Sequence, residues 1–129
     1  MNDTRGNVLI AESDGPTREL FVSALAHAGF RVDVASDGLE TIGRIEARDY
    51  AAVVVDLHLP RTDGLGVLQF LSERQPAMLG RVVLVTGLAL PEIDALYPIC
   101  ATLPKPISPS RLVETIKTCV DRHKSENGS

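Results

Sequence analysis

Residues 51–64 read AAVVVDLHLPRTDG, an apolar run that stops abruptly at an acidic residue. Ala51 to Val55 form a continuous run rather than an alternating one, which is what a strand covered on both faces requires. Gly64 then opens a helical repeat in which Val67, Leu68 and Leu71 recur at three- and four-residue steps. The stretch therefore predicts a buried strand, a loop and a helix in succession.

The same alternation extends in both directions along the chain. Two further apolar runs rich in β-branched residues, Val8–Ala11 and Arg81–Val85, predict buried strands, and weaker runs at Arg31–Ala35 and Cys100–Leu103 bring the number to five. Helical periodicity separates them. Five helices are predicted. The first follows Pro16 and ends at Gly29, the second begins at the Asp37 capping box, and the third runs from Gly64 to before Pro76. The fourth is short and covers Pro91–Tyr97, and the fifth begins at the Ser108-Pro109 cap.

Five strands alternating with five helices indicate an α/β fold. Parallel strands joined by right-handed crossovers place helices on both faces, giving a single-domain, three-layer α/β/α sandwich with a five-stranded parallel sheet. We expect the domain to span residues 7–122, preceded by an N-terminal extension (1–6) and followed by a flexible C-terminal tail (123–129). Such folds carry their functional residues beyond the carboxyl ends of the strands.

Composition and charge exclude several classes of function. The 129 residues suffice for one domain with a hydrophobic core, and 13 basic against 17 acidic residues leave a net charge of −4. This charge argues against direct nucleic-acid binding. No apolar run approaches the ~18 residues of a membrane span, and the first six residues lack the hydrophobic stretch of a signal peptide. We therefore expect neither membrane insertion nor secretion.

The two cysteines, Cys100 and Cys119, lie outside any CxxC pattern. A disulfide framework is disfavoured, and we expect reduced, buried thiols in a cytoplasmic protein. The histidines His27 and His123 lie on predicted helix surfaces and are expected to be solvated.

Polar residues follow four of the predicted strands. Glu12 follows the first strand, Asp56 the third, Thr86 the fourth and Lys105 the fifth. An aspartate that ends a run of valines is a poor choice for packing, because burying an unpaired carboxylate is costly. Two carboxylates ~4 Å apart repel by about 4 kcal/mol at an effective dielectric of ~20. A site that holds Glu12 and Asp56 together therefore requires a cation, either Lys105, a divalent metal or both.

Three motifs in this order resemble one known family. Residues 56–64, DLHLPRTDG, resemble the phosphoacceptor signature of bacterial response-regulator receiver domains. Thr86-Gly87 resembles the family's hydroxyl residue followed by a small one, and Lys105-Pro106 its Lys-Pro pair at the end of the fifth strand. The resemblance covers residues 7 to 122 and implies the chemotaxis-regulator-like, flavodoxin-like fold with strand order 2-1-3-4-5.

The resemblance implies a role for each matching residue. Asp56 would be the nucleophile that takes a phosphoryl group, Thr86 would hydrogen-bond a phosphoryl oxygen, and Lys105 would neutralise another. Mg²⁺ would be the cofactor, with the Asp56 carboxylate, the His58 backbone carbonyl and Glu12 as its protein ligands. The Lys105-Pro106 bond would be cis, as in the family.

Two departures from the family pattern affect these expectations. Receivers usually carry two adjacent acidic residues after the first strand, whereas this chain has Glu12 followed by Ser13. Because a serine offers only a neutral oxygen, we expect weakened Mg²⁺ affinity. The aromatic residue that often reports phosphorylation three positions before the lysine is replaced by Thr102. The His58 imidazole either modulates the lifetime of the phosphoryl group or faces solvent.

The leading hypothesis is a cytoplasmic receiver domain of a two-component phosphorelay, phosphorylated at Asp56 and switching partner binding. Its partners would be a sensor histidine kinase or phosphotransfer protein, a downstream output protein or domain, and a second copy through the helix 4–strand 5–helix 5 face. It would be no enzyme beyond its own phosphorylation and dephosphorylation. The alternative is a pseudo-receiver, a protein-docking module without Mg²⁺-dependent phosphorylation. A flavodoxin-like cofactor binder is disfavoured, because residues 12–14 present negative charge to a phosphate.

Overall fold

The computed structural model describes residues 5–88 and 92–128, with side chains up to residue 123. Its core is one parallel sheet of five strands in the order β2-β1-β3-β4-β5, which confirms the predicted order. The strands are β1 (Asn7–Ala11), β2 (Arg31–Ala35), β3 (Ala52–Asp56), β4 (Val82–Thr86) and β5 (Ala101–Pro104). The helices are α1 (Gly15–His27), α2 (Gly38–Ala47), α3 (Gly64–Arg74), α4 (Glu92–Leu96) and α5 (Pro109–Gly128).

The central strands are covered on both sides. Every residue of β3 and β4 is buried, as is β1 from Val8 onward, whereas the edge strands β2 and β5 are partly exposed. Continuous hydrophobicity was thus a correct signal for the three inner strands. Alternate residues of these strands enter two separate hydrophobic clusters, one on each face of the sheet, and this confirms the three-layer sandwich.

Side-chain caps begin α1, α2 and α5, and the caps of α2 and α5 were predicted from the sequence. Asp14 accepts a hydrogen bond from the Thr17 amide, and Asp37 accepts one from the Glu40 amide. Ser108 accepts a bond from the Arg111 amide at the start of α5. These caps satisfy amides that have no partner within the helix.

The segment between α3 and β4 differs from the prediction. Residues Pro76–Arg81 form a short 3₁₀ helix that sequence periodicity did not indicate. The imidazole of His123 donates a hydrogen bond from Nε2 to the Gly80 carbonyl oxygen in this helix, at 2.6 Å. The expectation that His123 is solvated is therefore wrong, whereas His27 is exposed.

The ends of the chain are described in part. Residues 1–4 of the predicted N-terminal extension lie outside the described residues, as do Pro91 at the predicted start of helix 4 and Ser129. Helix α5 continues to Gly128, so the boundary predicted at residue 122 does not coincide with its end. Within the part of the chain that the structure describes, no helix is both long and apolar enough to cross a membrane.

The prediction of two reduced thiols is wrong. Cys100 and Cys119 form a disulfide between the residue that precedes β5 and the inner side of α5. Their Cα atoms lie 6.2 Å apart, within the range that a disulfide spans. A separation of 19 residues gave no local signal, because only the packing of α5 beside β5 brings the two together.

Candidate functional site

The four polar residues predicted at the strand ends occupy one edge of the sheet. Asp56 is the last residue of β3 and Thr86 the last of β4, and the register pairs Asp56 with Val85. Glu12 directly follows β1, and Lys105 directly follows β5. Parallel pairing therefore brings residues that are far apart in sequence to neighbouring positions.

The Asp56 carboxylate is buried, with only 2% of the residue exposed, and both of its oxygens have partners. Its Oδ2 accepts a hydrogen bond from Lys105 Nζ at 3.0 Å. Its Oδ1 accepts a bond from the backbone N–H of His58 at 3.1 Å. The ammonium and the amide replace the water that the buried carboxylate loses, and this offsets the cost of its burial.

Glu12 forms the second buried carboxylate of the site, also with 2% exposure. Its Oε1 lies 3.5 Å from Lys105 Nζ, and its Oε2 accepts a hydrogen bond from the Asp14 amide at 3.0 Å. Burial raises the pKa of the Glu12 carboxyl above its ordinary value, and interaction with Asp56 adds to the rise. These effects outweigh the Asp14 amide and the charge of Lys105, which lower that pKa.

Lys105 bridges the two carboxylates. Burial alone would lower the pKa of its ammonium, but the hydrogen bond to Asp56 and the charges of Asp56 and Glu12 outweigh burial and raise it. The Lys105-Pro106 peptide bond is cis, as the resemblance implied. The Lys105 amide also donates to the Thr86 carbonyl oxygen at 2.8 Å. Two carboxylates against one ammonium leave one negative charge uncompensated, so the site favours a further cation.

The Thr86 hydroxyl is buried and accepts a hydrogen bond from the Leu88 amide at 3.0 Å. The hydroxyl oxygen is thereby used as an acceptor, and its own hydrogen stays available for donation. Gly87 is exposed, and a Cβ added there would meet no atom within 4 Å. The approach beside Thr86 is therefore uncrowded.

The donors present suit a metal that takes few protein ligands. Glu12 and Asp56 are brought together, whereas Ser13 and Asp14 are exposed and Asp14 caps α1. Among the described residues, no group of three or more His, Cys, Asp or Glu side chains is arranged to hold a metal ion. The His58 side chain is exposed, whereas its backbone N–H contacts Asp56 Oδ1. Mg²⁺ is commonly held by one or two carboxylates together with waters and phosphate oxygens, and this donor set fits that pattern.

Two contacts that shape the site were not predicted from the sequence. Arg18 donates from Nη1 to the Glu12 carbonyl oxygen at 2.8 Å, so α1 holds the loop after β1 in place. A Cβ on Gly64 would lie 2.7 Å from the Asp56 carbonyl oxygen and from Leu57 Cα, so this position requires glycine for space. The signal for Gly64 lay in the Asp63-Gly64 pair, but only coordinates show the close approach.

Thr102, at the position where the family often has an aromatic residue, is half-buried on β5. Its hydroxyl donates to Asp94 Oδ1 of α4 at 3.1 Å. A side-chain hydrogen bond therefore joins β5 to α4 at this position.

Comparison with known proteins identifies the class to which this fold and site belong. The family model described as "Response regulator receiver domain" matches residues 8–117, so the chain belongs to that family. It is a receiver domain of two-component systems, homologous to the phosphoacceptor domains of response regulators and histidine kinases. Receiver domains are typically non-enzymatic signalling domains, they generally bind Mg²⁺ at the phosphorylation site, and they interact with histidine kinases and output domains.

Individual relatives agree with this assignment. The chain is 27% identical over 92 residues to the response regulator receiver protein CpdR of Brucella abortus, covering 68% of this chain and 75% of that protein. It is 29% identical over 70 residues to probable histidine kinase 1 of Oryza sativa, covering 54% of this chain but only 7% of the kinase. A CheY-like receiver domain from Methanospirillum hungatei superposes with a TM-score of 0.84 at 26% identity, covering 94% of this chain and 98% of that one.

Proposed function

We propose that this chain accepts a phosphoryl group on Asp56 from a histidine kinase or phosphotransfer protein and thereby switches its binding to a partner. The observation that carries the proposal is the contact of Lys105 Nζ with Asp56 Oδ2 at 3.0 Å, inside a buried site that Thr86 borders. Transfer of a phosphoryl group to a carboxylate needs an acidic acceptor, an ammonium and a hydroxyl close together, and all three lie at the carboxyl ends of the strands.

Each residue has a separate part in the transfer. A carboxylate oxygen of Asp56 attacks phosphorus, and the bond from phosphorus to the donor's histidine nitrogen breaks as the imidazole leaves with its electron pair. The Lys105 ammonium, which holds the free carboxylate, is placed to pair with a phosphoryl oxygen instead. The Thr86 hydroxyl, whose hydrogen is available, donates to another. The domain catalyses only its own phosphorylation and dephosphorylation.

Glu12, the Asp56 carboxylate and the His58 backbone carbonyl would hold Mg²⁺. When bound, the ion supplies neutralisation of charge on the carboxylate and phosphoryl oxygens. Ser13 lacks the carboxylate usual at its position, and Glu12 is already engaged with Lys105 and the Asp14 amide. Both features support a Mg²⁺ affinity below that of a receiver with two adjacent acidic residues.

The readout of phosphorylation involves no aromatic residue at position 102. A phosphoryl group shifts an equilibrium between two states only through contacts that differ between them. We place that difference at Thr86 and at the Thr102–Asp94 bond between β5 and α4.

The helix 4–strand 5–helix 5 face is the surface for an output partner or a second copy. We also propose that the protein acts in the cytoplasm. Residues 7–122 form the receiver unit.

The test is incubation with acetyl phosphate and Mg²⁺, followed by intact-mass measurement of the parent, Asp56→Asn and Asp49→Asn. Asp49 is exposed and serves as the matched control for loss of a carboxylate. We expect one phosphoryl adduct on the parent and on Asp49→Asn and none on Asp56→Asn. An adduct of equal yield on Asp56→Asn would refute the assignment.

The second candidate is a docking module that does not use phosphorylation, and Ser13 is the observation that favours it. The two candidates differ in how the adduct depends on Mg²⁺. A receiver with weakened affinity gives an adduct whose yield rises over a high range of Mg²⁺ concentration. Absence of an adduct at every concentration, in a chain that is folded by circular dichroism, would establish the docking module instead.

A further inference from the structure

The Cys100–Cys119 disulfide closes the segment of chain that carries Lys105. Cys100 directly precedes β5, Lys105 directly follows it, and Cys119 lies on α5 beyond the connecting loop. Strand β5 is the edge of the sheet beside β4. The bond therefore fixes one end of an edge strand whose other end holds a site residue.

The two sulfurs have different environments. Cys119 is 1% exposed and belongs to the hydrophobic cluster with Leu112, Ile116 and Val120. Cys100 is half-buried at the margin of the same cluster. A cluster this extensive supplies a core without a covalent link, and a chain of this length can fold without one. The bond is thus not demanded by a small core.

A groove on the surface reaches the bond. It has a volume of about 190 Å³ and is lined by both cysteines together with Glu114, Thr118 and Arg122. These three residues are exposed. Because the groove exceeds the volume of several water molecules, the end of a small thiol has room to enter it.

Arg122 places a positive charge beside one sulfur. Its Nη1 lies 3.6 Å from Cys100 Sγ, whereas Cys119 is buried and packs within the apolar cluster. A neighbouring guanidinium stabilises a thiolate, which is the reactive form of cysteine, and burial in apolar surroundings disfavours it. Cys100 is therefore the sulfur suited to exchange with an outside thiol, and Cys119 is suited to resolve the product.

We propose that Cys100 and Cys119 form a reversible redox pair that exchanges with low-molecular-weight thiols and disulfides of the glutathione class. On oxidation, the Cys100 thiolate attacks the small disulfide, forming a mixed disulfide on Cys100 and releasing one small thiolate. Cys119 then loses its proton and attacks Cys100 Sγ, forming the protein disulfide and releasing the second small thiol. Two electrons pass from the protein dithiol to the small disulfide, and reduction follows the same steps in reverse.

Opening the bond removes the covalent tie between the start of β5 and α5, while Leu103 of β5 stays packed in one cluster with Leu112 and Ile116 of α5. The strand is then held at its start by pairing with β4, as in the register of Ala101 with Val83. We expect the amides of β5 to exchange with solvent faster in the dithiol form, and the hold of Lys105 on Asp56 to loosen. Intracellular disulfides are usually transient and redox-sensing. The comparison with intracellular disulfides rests on the cytoplasmic location given under Proposed function. The argument from the contacts of the two sulfurs does not depend on that location.

The test equilibrates the folded protein in glutathione buffers of different ratio, quenches with an alkylating reagent and counts thiols by intact mass. Arg122→Gln tests the guanidinium, and Arg111→Gln, on the same helix, is the matched control for loss of charge. We expect the bond to open and close with the far-UV circular dichroism unchanged. Oxidation of the dithiol form by oxidised glutathione should slow about threefold to tenfold in Arg122→Gln and stay as in the parent in Arg111→Gln.

A bond that stays closed in reduced glutathione until denaturant unfolds the chain would overturn the proposal, as would a dithiol form that is unfolded. The variant Cys100→Ser/Cys119→Ser separates the two questions. It should fold, show no response to glutathione and show the faster β5 amide exchange in all buffers. No readout in this experiment requires phosphorylation, so failure of the redox pair and failure of Asp56 as acceptor are distinguishable.

Discussion

Replacing Lys105 with methionine removes the cation between the two buried carboxylates. Lys105 Nζ lies 3.0 Å from Asp56 Oδ2 and 3.5 Å from Glu12 Oε1, and both acids are almost fully buried. Coulomb's law at an effective dielectric of ~20 gives about 5 kcal/mol of attraction for each pair. Most of this energy offsets the cost of taking the charges out of water, so the net loss is much smaller.

Breaking a buried ion pair costs about 3–5 kcal/mol. The Lys105 side chain is 31% exposed, so solvent screens the interaction and the cost must be reduced accordingly. We therefore expect Lys105→Met to lower the free energy of unfolding by about 1–3 kcal/mol at pH 7. The assay is urea denaturation followed by circular dichroism, with Lys117→Met on α5 as the control for loss of a lysine.

The pH dependence identifies the cause. The pKa of Glu12 is raised in the folded parent, so its ionised form disfavours folding, and the variant raises that pKa further. The folded state then binds a proton more readily than the unfolded state at pH values between the ordinary Glu pKa of 4.5 and the raised pKa of Glu12 in the folded state. The loss of stability should thus shrink as the pH falls from 7 toward the ordinary Glu pKa of 4.5. A variant as stable as the parent at pH 7, or a deficit that grows on acidification, would refute this reasoning.

Three further predictions follow from single contacts. Ser13→Asp should raise the Mg²⁺ affinity about tenfold or more, because it restores an acidic ligand beside Glu12. The affinity is measured by calorimetric titration, in which the control Ser23→Asp should bind Mg²⁺ as the parent does. Equal affinities of Ser13→Asp and the parent would contradict the account of Ser13. Gly64→Ala should lower the free energy of unfolding by about 1–3 kcal/mol, because its Cβ would meet the backbone of Asp56. Gly43→Ala, whose Cβ would enter open space, should not lower it. If denaturant melts showed Gly43→Ala to be the less stable variant, the packing at Gly64 would be excluded. Burial, together with the hydrogen bond to Asp33, raises the pKa of Tyr50 to about 12. The difference in absorbance between the parent and Tyr50→Phe, recorded after a rapid pH jump, should therefore titrate near that value. A midpoint near 10 would disprove the contact.

The sheet was predictable because its signals are local. The valine run before Asp56 and the helical periodicity after Gly64 each depend on a few adjacent residues, and the parallel order then followed from the family resemblance. Sheet geometry brought Asp56, Thr86 and Lys105 to one edge, as strand ends in such folds require. The roles of the site residues and the effect of Ser13 on Mg²⁺ stay predictions.

What the sequence did not reveal depends on packing between distant elements. Cys100 and Cys119 meet only because α5 lies beside β5, and His123 bonds Gly80 only because α5 passes the 3₁₀ helix. Arg18 anchors the loop after β1 by donating to a backbone carbonyl oxygen. Every residue has a backbone carbonyl, so the residue types in the sequence do not indicate this contact. Such contacts cannot be read from spacing along the chain.

The most direct test of the account is localisation of the phosphoryl group. The chain is treated with acetyl phosphate and Mg²⁺, cleaved under conditions that preserve acyl phosphates, and sequenced by tandem mass spectrometry. We predict a single modified residue, Asp56, with the yield greatly reduced in Lys105→Met. Modification of Glu12, Asp63 or any other residue in place of Asp56 would contradict the central claim.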